Sequence, residues 1–244
     1  MRLQAFIAFA TLAFIPAGAQ RASALGVTPL VLELRSGSDN RSAQIVVNND
    51  SASDTPIELA IFRVELDEAG QQHSTQASSD FVIFPPMRLI PPHGKQVFKI
   101  QWAGGPLAKS QSYSFFVVQP HVKMPDTQSG VQIEFQFQVL VYVAPPSGTR
   151  SLDLRSASVS TLNGKRHASL LVSNAGNVHA FLGDATVTLR SGSWSRTLVP
   201  GDLQRLIGLG TVQPGKSRRF AIPVDLPADA GSLTADISYN GTFR

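Results

Sequence analysis

Residues 131–143 read Val-Gln-Ile-Glu-Phe-Gln-Phe-Gln-Val-Leu-Val-Tyr-Val. The odd positions are all apolar: Val131, Ile133, Phe135, Phe137, Val139, Val141 and Val143. The even positions are polar through Gln138 and become apolar at Leu140 and Tyr142. Period-two alternation is the mark of a β-strand, since successive side chains point to opposite faces. At about 3.3 Å per residue the stretch spans roughly 40 Å, about twice an ordinary strand. Its second half, apolar on both faces, fits a strand covered on both sides. Its first half has one apolar and one Gln/Glu face. Two readings follow: a long strand whose odd face fills its own core, or an edge strand lending alternate side chains to a partner's groove. Left uncovered, so long and apolar a strand is an aggregation hazard.

Outward from this strand the chain reads as further short strands and turns. Upstream, the alternation predicts strands at Leu30–Leu34, Ser42–Asn48, Ile57–Glu65, Phe81–Phe84, Gln96–Trp102 and Ser112–Val118. Gly- and Pro-bearing punctuation separates them, at Gly37 to Asn40, Glu68 to Gln71, Pro91 to Gly94 and Gly104 to Pro106. Strands at this spacing point to an immunoglobulin-like β-sandwich. Ala144-Pro145-Pro146-Ser147-Gly148 then ends the long strand, because proline has no N–H for a ladder. Downstream, strands are expected at Leu152–Val159, Ala168–Ser173, Ala180–Leu189, Trp194–Leu198, Arg218–Ile222 and Leu233–Tyr239, with a turn at Pro200-Gly201. The reading is all-β with two sandwich domains: 25–144, a linker at 145–150, and 151–244.

The N-terminus has the order of a secretory signal peptide: Arg2, an apolar run from Leu3 to Ile15, then Pro16 and Gly18. Two small-x-small sites follow, and cleavage is expected after Ala24, with Ala19 the alternative. Residues 1–24 carry Arg2 and Arg21 and no acid, so their removal lowers the formal net charge from +4 to +2. The remainder is expected to be exported, with no further apolar stretch long enough to span a bilayer. A 43% hydrophobic, 16% charged chain excludes wholesale disorder. The absence of cysteine excludes disulfides, thiolate metal sites and thiol nucleophiles. Lys and Arg are scattered, which is not the clustered stripe of a nucleic-acid surface. The histidines show no metal-ligand spacing, no phosphate loop or nucleophile elbow is present, and Asp80 and Glu134 read as isolated carboxylates. No catalytic residue, metal site or cofactor is expected, so the chain is read as a non-enzyme.

Three further segments are recognisable. The first is Phe84-Pro85-Pro86-Met87-Arg88-Leu89-Ile90-Pro91-Pro92-His93-Gly94-Lys95-Gln96, with Pro85, Pro86, Arg88 and Gly94 as its structural markers. The second is Gln111-Ser112-Tyr113-Ser114-Phe115-Phe116-Val117. The third is Val172-Ser173-Asn174-Ala175-Gly176-Asn177-Val178-His179-Ala180, with Tyr239-Asn240-Gly241 near the end. Together with the long strand ending at Pro145, the chain resembles the periplasmic pilus (fimbrial) assembly chaperones, the PapD-like family. The resemblance implies two immunoglobulin-like domains in a boomerang arrangement, located in the periplasm. It implies donor-strand complementation: a long strand inserted into the groove of a pilus subunit that is then delivered to an outer-membrane usher. The donated face carried over is Val131, Ile133 and Phe135, extended by Phe137 and Val139. Well-studied members hold the subunit's terminal carboxylate with a cleft Arg and Lys; the matching positions here are Pro29 and Leu140, which cannot. Arg88, Lys99 and Lys123 are the candidate replacements. These departures resemble the archaic-type branch. The alternative function is a structural pilus or adhesin subunit, or another exported β-sandwich binding protein. Neither nucleic acid nor stable membrane insertion is expected, and self-association of the unloaded chain is left open.

Overall fold

Two hydrophobic cores divide the chain, one drawn from residues between Leu25 and Val143 and one from residues between Leu152 and Tyr239. The computed structural model describes residues 25–37, 40–120, 136–162 and 164–241. The predicted signal peptide, Lys123, Glu134 and the donor positions Val131, Ile133 and Phe135 lie outside the described residues.

The first core is closed by two sheets. One has the order β1 (Leu25–Thr28), β3 (Ser42–Asn49), β8 (Lys95–Trp102), β6 (Phe81–Phe84). The other has the order β2 (Val31–Arg35), β10 (Gln136–Ala144), β9 (Gln111–Val118), β4 (Thr55–Leu66), β5 (Gln72–Gln76), with β7 (Met87–Ile90) also paired to β4. Alternation selects what enters the core: Ile45 and Val47, Phe98, Ile100 and Trp102, Phe115 and Val117, Val139, Val141 and Val143 are all buried. At two of the points where the chain changes sheet, prolines stand in the break: Pro29 between β1 and β2, and Pro85-Pro86 between β6 and β7. Proline has no N–H to continue a ladder, so each strand stops there and the next joins the opposite sheet.

The second core lies under β11 (Asp153–Leu162), β12 (Lys165–Ser173) and β17 (Ser217–Ile222) on one side. On the other side are β15 (Trp194–Leu198), β14 (Thr186–Ser191) and β18 (Thr234–Ser238), and a small pair joins β13 (Ala180–Phe181) to β16 (Thr211–Val212). The chain is thus two β-sandwich domains.

Beyond the added strands β1, β5, β7 and β16, the structure departs from the sequence reading in three places. The expected strand Ala180–Leu189 is broken by a 3-10 turn at Leu182–Asp184. Gly183 is pressed against the Gly208 carbonyl, where a Cβ would lie 2.6 Å from the oxygen, so a straight strand does not fit. The Pro200-Gly201 turn is instead the start of helix α1 (Pro200–Ile207). Pro200 opens the first turn, where no N–H partner is lost, and Leu203 and Ile207 fall on one face against the core. Finally, Asp80 is not isolated: it pairs with Arg63 at 2.6 Å and accepts the Tyr113 hydroxyl at 2.8 Å. Burial, reinforced by that carboxylate, pushes the Tyr113 phenol well above its ordinary value.

A half-paired strand beside an interdomain cleft

β10 is paired unequally along its length. On one side it runs antiparallel to β9 from Gln136 to Val143. On the other it runs parallel to β2 only from Leu140 to Ala144. Residues Gln136–Val139 therefore extend past the start of β2 with one edge outside that ladder. Leu30 and Val31, at the point where β2 begins, are 51% and 37% exposed. The edge thus offers main-chain donors and acceptors flanked by apolar side chains, the combination that recruits an added strand. Phe137 packs partly against the core, whereas Val139 is fully enclosed by it.

The same strand lines a cleft between the domains. A cavity of about 300 Å³ is bounded by Gln138, Leu140 and Tyr142 of β10, Ser112 of β9, and Thr211 and Arg218 of the second domain. Two of its lining atoms are buried without a hydrogen-bond partner among the described residues: Ser112 Oγ and Arg218 Nε. The Arg218 guanidinium donates to the Thr211 carbonyl at 3.0 Å and lies 4.8 Å from the Phe220 ring centre. Burial pushes it below its ordinary value, so it is a cation poorly served by water. Gly70, at φ +84°, gives it room: a Cβ there would lie 2.7 Å from Arg218 Nε. This arrangement suits an anion with acceptor oxygens.

The domains are fixed around the cleft at three places. On one flank the β4–β5 hairpin reaches the second domain. Gln213 donates to the Val64 carbonyl and accepts the Leu66 N–H, both at 2.8 Å. The Arg219 N–H donates to the Glu68 carbonyl at 2.7 Å, and the two side chains pair at the same distance. In the middle, Tyr142 and Thr211 hydroxyls meet at 2.7 Å. On the other flank lies the segment 172–180. Within the second domain Asn174 donates to the Val178 and Val212 carbonyls and shapes the segment, from which the Asn177 side-chain amide donates to the Ala108 carbonyl of the first domain at 3.2 Å. His179 and Arg150 both meet the Glu33 carboxylate at 2.6 Å. These bonds hold Glu33 down to about 2 against the opposing effect of burial.

The markers in the Pro-Pro segment build a corner of the first domain. Gly94 donates its N–H to the Pro91 carbonyl at 3.0 Å, and a Cβ there would crowd that oxygen at 2.9 Å. Asn49, which sequence reasoning passed over, is fully buried and donates to the carbonyls of Ser53, Ile90 and Pro91 at 2.8, 3.0 and 3.1 Å. Its position at the end of an apolar strand, before a Ser/Asp turn, is a weak signal at best.

The candidate anchors fall elsewhere. Arg88 is exposed on β7 opposite Ile57, and Lys99 is exposed on β8 in the sheet that does not border the cleft. Neither lines the cavity. Pro29 lies in the break between β1 and β2, and the residue facing Leu140 across the ladder is Val31. Val31, like Pro29, is apolar and cannot pair with a carboxylate. Arg218, flanked in sequence by Lys216 and Arg219, carried no distinguishing mark; only the strand register sends it to the cleft and Arg219 to Glu68. Among the described residues no group of His, Asp and Glu is placed to hold a metal ion, and no helix is long and apolar enough to cross a membrane.

Comparison with known proteins gives a consistent result. Solved fimbrial chaperones share the fold. The class 5 fimbriae chaperone CfaA matches at 13% identity over 89% of this chain and all of its own, with a TM-score of 0.55. A chain of the chaperone–tip adhesin complex of CFA/I fimbriae biogenesis matches at 15%, over 91% of this chain and 95% of its own, with a TM-score of 0.56. The Salmonella enterica SafA pilin–SafB chaperone complex matches at 13%, over 90% and 98%, with a TM-score of 0.53. No curated protein sequence matches the chain. The family model for the N-terminal domain of PapD, the pili and flagellar-assembly chaperones, matches residues 25–148, half of the sequence and the whole of the first sandwich, and the chain belongs to that family.

Proposed function

We propose that this chain is a periplasmic pilus-assembly chaperone that holds a subunit by donor-strand complementation and passes it to an outer-membrane usher. The observation that carries this reading is the half-paired edge of β10 at Gln136–Val139. A subunit lacking one strand of its own sandwich exposes a groove and unpaired main-chain groups, and an added strand satisfies both. The role needs binding alone, with no catalytic step.

The donated face is Val131, Ile133 and Phe135, with Phe137 at its base. Val139 is withdrawn from it, because its side chain is already enclosed in its own domain's core. Each apolar side chain moved into a groove contributes about 1.5–3 kcal/mol, so three give roughly 5–9 kcal/mol. Association costs of at least about 4 kcal/mol reduce this. The balance holds a subunit yet leaves it exchangeable for a better-fitting strand. The subunit's terminal carboxylate is held in the cleft by Arg218, with Ser112 as a second donor, in place of the Arg and Lys the chain lacks.

Co-expression with the subunit encoded beside it, followed by purification from the periplasm, tests the reading. Ile133→Asp and Phe135→Asp each abolish co-purification while leaving the thermal unfolding of the free chain unchanged. Capture that survives both substitutions overturns the donor-strand assignment.

A further inference from the structure

The flank of the cleft opposite the hairpin contains a buried histidine placed between the domains. His179 is fully buried. Its ring stacks on Tyr142 of the first domain at 4.5 Å and 24°, with Phe181 at 5.1 Å. Nε2 lies 2.6 Å from Glu33 of β2, and Nδ1 lies 3.2 Å from Ser110 Oγ, just before β9. Ser110 Oγ also accepts the His179 main-chain N–H at 3.1 Å.

These contacts define one protonation state. Glu33 is ionised and can only accept, so Nε2 carries the proton. Nδ1 is then the acceptor for the Ser110 hydroxyl, and every polar atom of the neutral ring is satisfied across the domain boundary. The charged neighbours are few. Glu33 supplies one negative charge, and it already serves Arg150, whose Nη2 is 3.4 Å from His179 Nε2. Tyr142 is held above its ordinary value by burial and stays neutral. Tyr239, behind Arg150, is likewise raised by burial.

We propose that the Glu33–His179–Arg150 joint is an acid-responsive latch between the two domains, released by a proton on His179. The added proton sits on Nδ1, opposite the Ser110 hydroxyl that had donated to it. It places a second cation beside Arg150, on the carboxylate that already serves Arg150, and on a ring that is itself fully buried. Separating the domains rehydrates the imidazolium and restores its ordinary basicity. The closed form keeps His179 below the ordinary imidazole value of about 6.5, chiefly through burial, so opening takes up a proton. The latch is therefore fully closed above about pH 6.5 and weakens as pH falls toward the lowered value. The linkage allows at most about a tenfold rise in the open population per pH unit. Because the same two domains wall the cleft, release widens the cavity beside Arg218.

The absence of cysteine makes the test direct. A Thr75→Cys, Arg196→Cys pair, both at exposed strand positions on different domains, carries two spin labels with no competing thiol. The interdomain distance distribution is recorded from pH 7.5 to 5, alongside the NMR titration of the His179 ring in the same protein. The expected result is a growing longer-distance population whose midpoint coincides with the His179 titration, and which His179→Gln abolishes. A distribution unchanged over that range overturns the proposal. So does a shift whose midpoint follows a different histidine, a criterion that needs no variant to fold.

Discussion

Replacing Arg218 with glutamine distinguishes a binding residue from a structural one, because the two roles move different measurements. In the free chain the substitution removes the 3.0 Å bond to the Thr211 carbonyl and the ring contact with Phe220. The bond, made by a charged donor, is worth about 1.5–3 kcal/mol and the ring contact about 0.5–1 kcal/mol. It also removes a buried cation whose Nε has no partner among the described residues, a penalty of about 1–3 kcal/mol. The two nearly cancel, so the unfolding free energy from urea titration changes by about 1 kcal/mol or less, of either sign. Binding behaves differently. A carboxylate on this guanidinium makes charge-assisted hydrogen bonds worth about 1.5–3 kcal/mol, which is a factor of about 10 to 150 in Kd. The assay is competition between two peptides of the subunit's C-terminal strand, one ending in a free carboxylate and one in an amide. The native chain prefers the acid by that factor and Arg218→Gln binds both alike. An unchanged preference in the variant refutes the anchor, and a loss of stability well beyond 2 kcal/mol shows that Arg218 serves the fold.

Two further outcomes test the frame around the site. Asn49→Ala leaves three main-chain carbonyls without their buried donor and lowers the unfolding free energy by roughly 2–3 kcal/mol; a loss under 0.5 kcal/mol in urea titration contradicts the corner's dependence on it. Glu33 is held from 4.5 down to about 2, so while the domains stay latched its contribution is complete above pH 4.5 and is lost as pH falls from there toward 2. Glu33→Gln is accordingly less stable at neutral pH, and the native and variant stabilities converge in that acid window, as read by denaturation at each pH.

Much of the first domain was legible because its strands obey one rule. Where alternate positions are buried, as in Phe98, Ile100 and Trp102 or Val139, Val141 and Val143, period two is written directly in the residues. β5 escaped that rule, since Gln72–Gln76 is exposed throughout and has no apolar face to repeat. β7 escaped because its four residues sit between two proline pairs and hold one buried side chain, Ile90. The half-paired edge could not be read either. Alternation in β10 marks its faces, whereas the free edge depends on where β2 begins, and Pro29 sets that only once the chain is folded. Arg218 was hidden for a related reason: two adjacent arginines differ only in which way the pleat turns them. His179 was visible as part of a motif, but its partners Glu33 and Ser110 come from the other domain, 146 and 69 residues away.

The bond from Arg219 N–H to the Glu68 carbonyl lies on the side of β17 away from β12. β17 is the last strand of its sheet, and a bare last strand invites pairing with other molecules. The hairpin tip of the first domain therefore shields its neighbour from aggregation at that margin. The second domain's edge is thus covered only when the first domain's hairpin is in place. Before the chain chaperones any other protein, its first half chaperones its second.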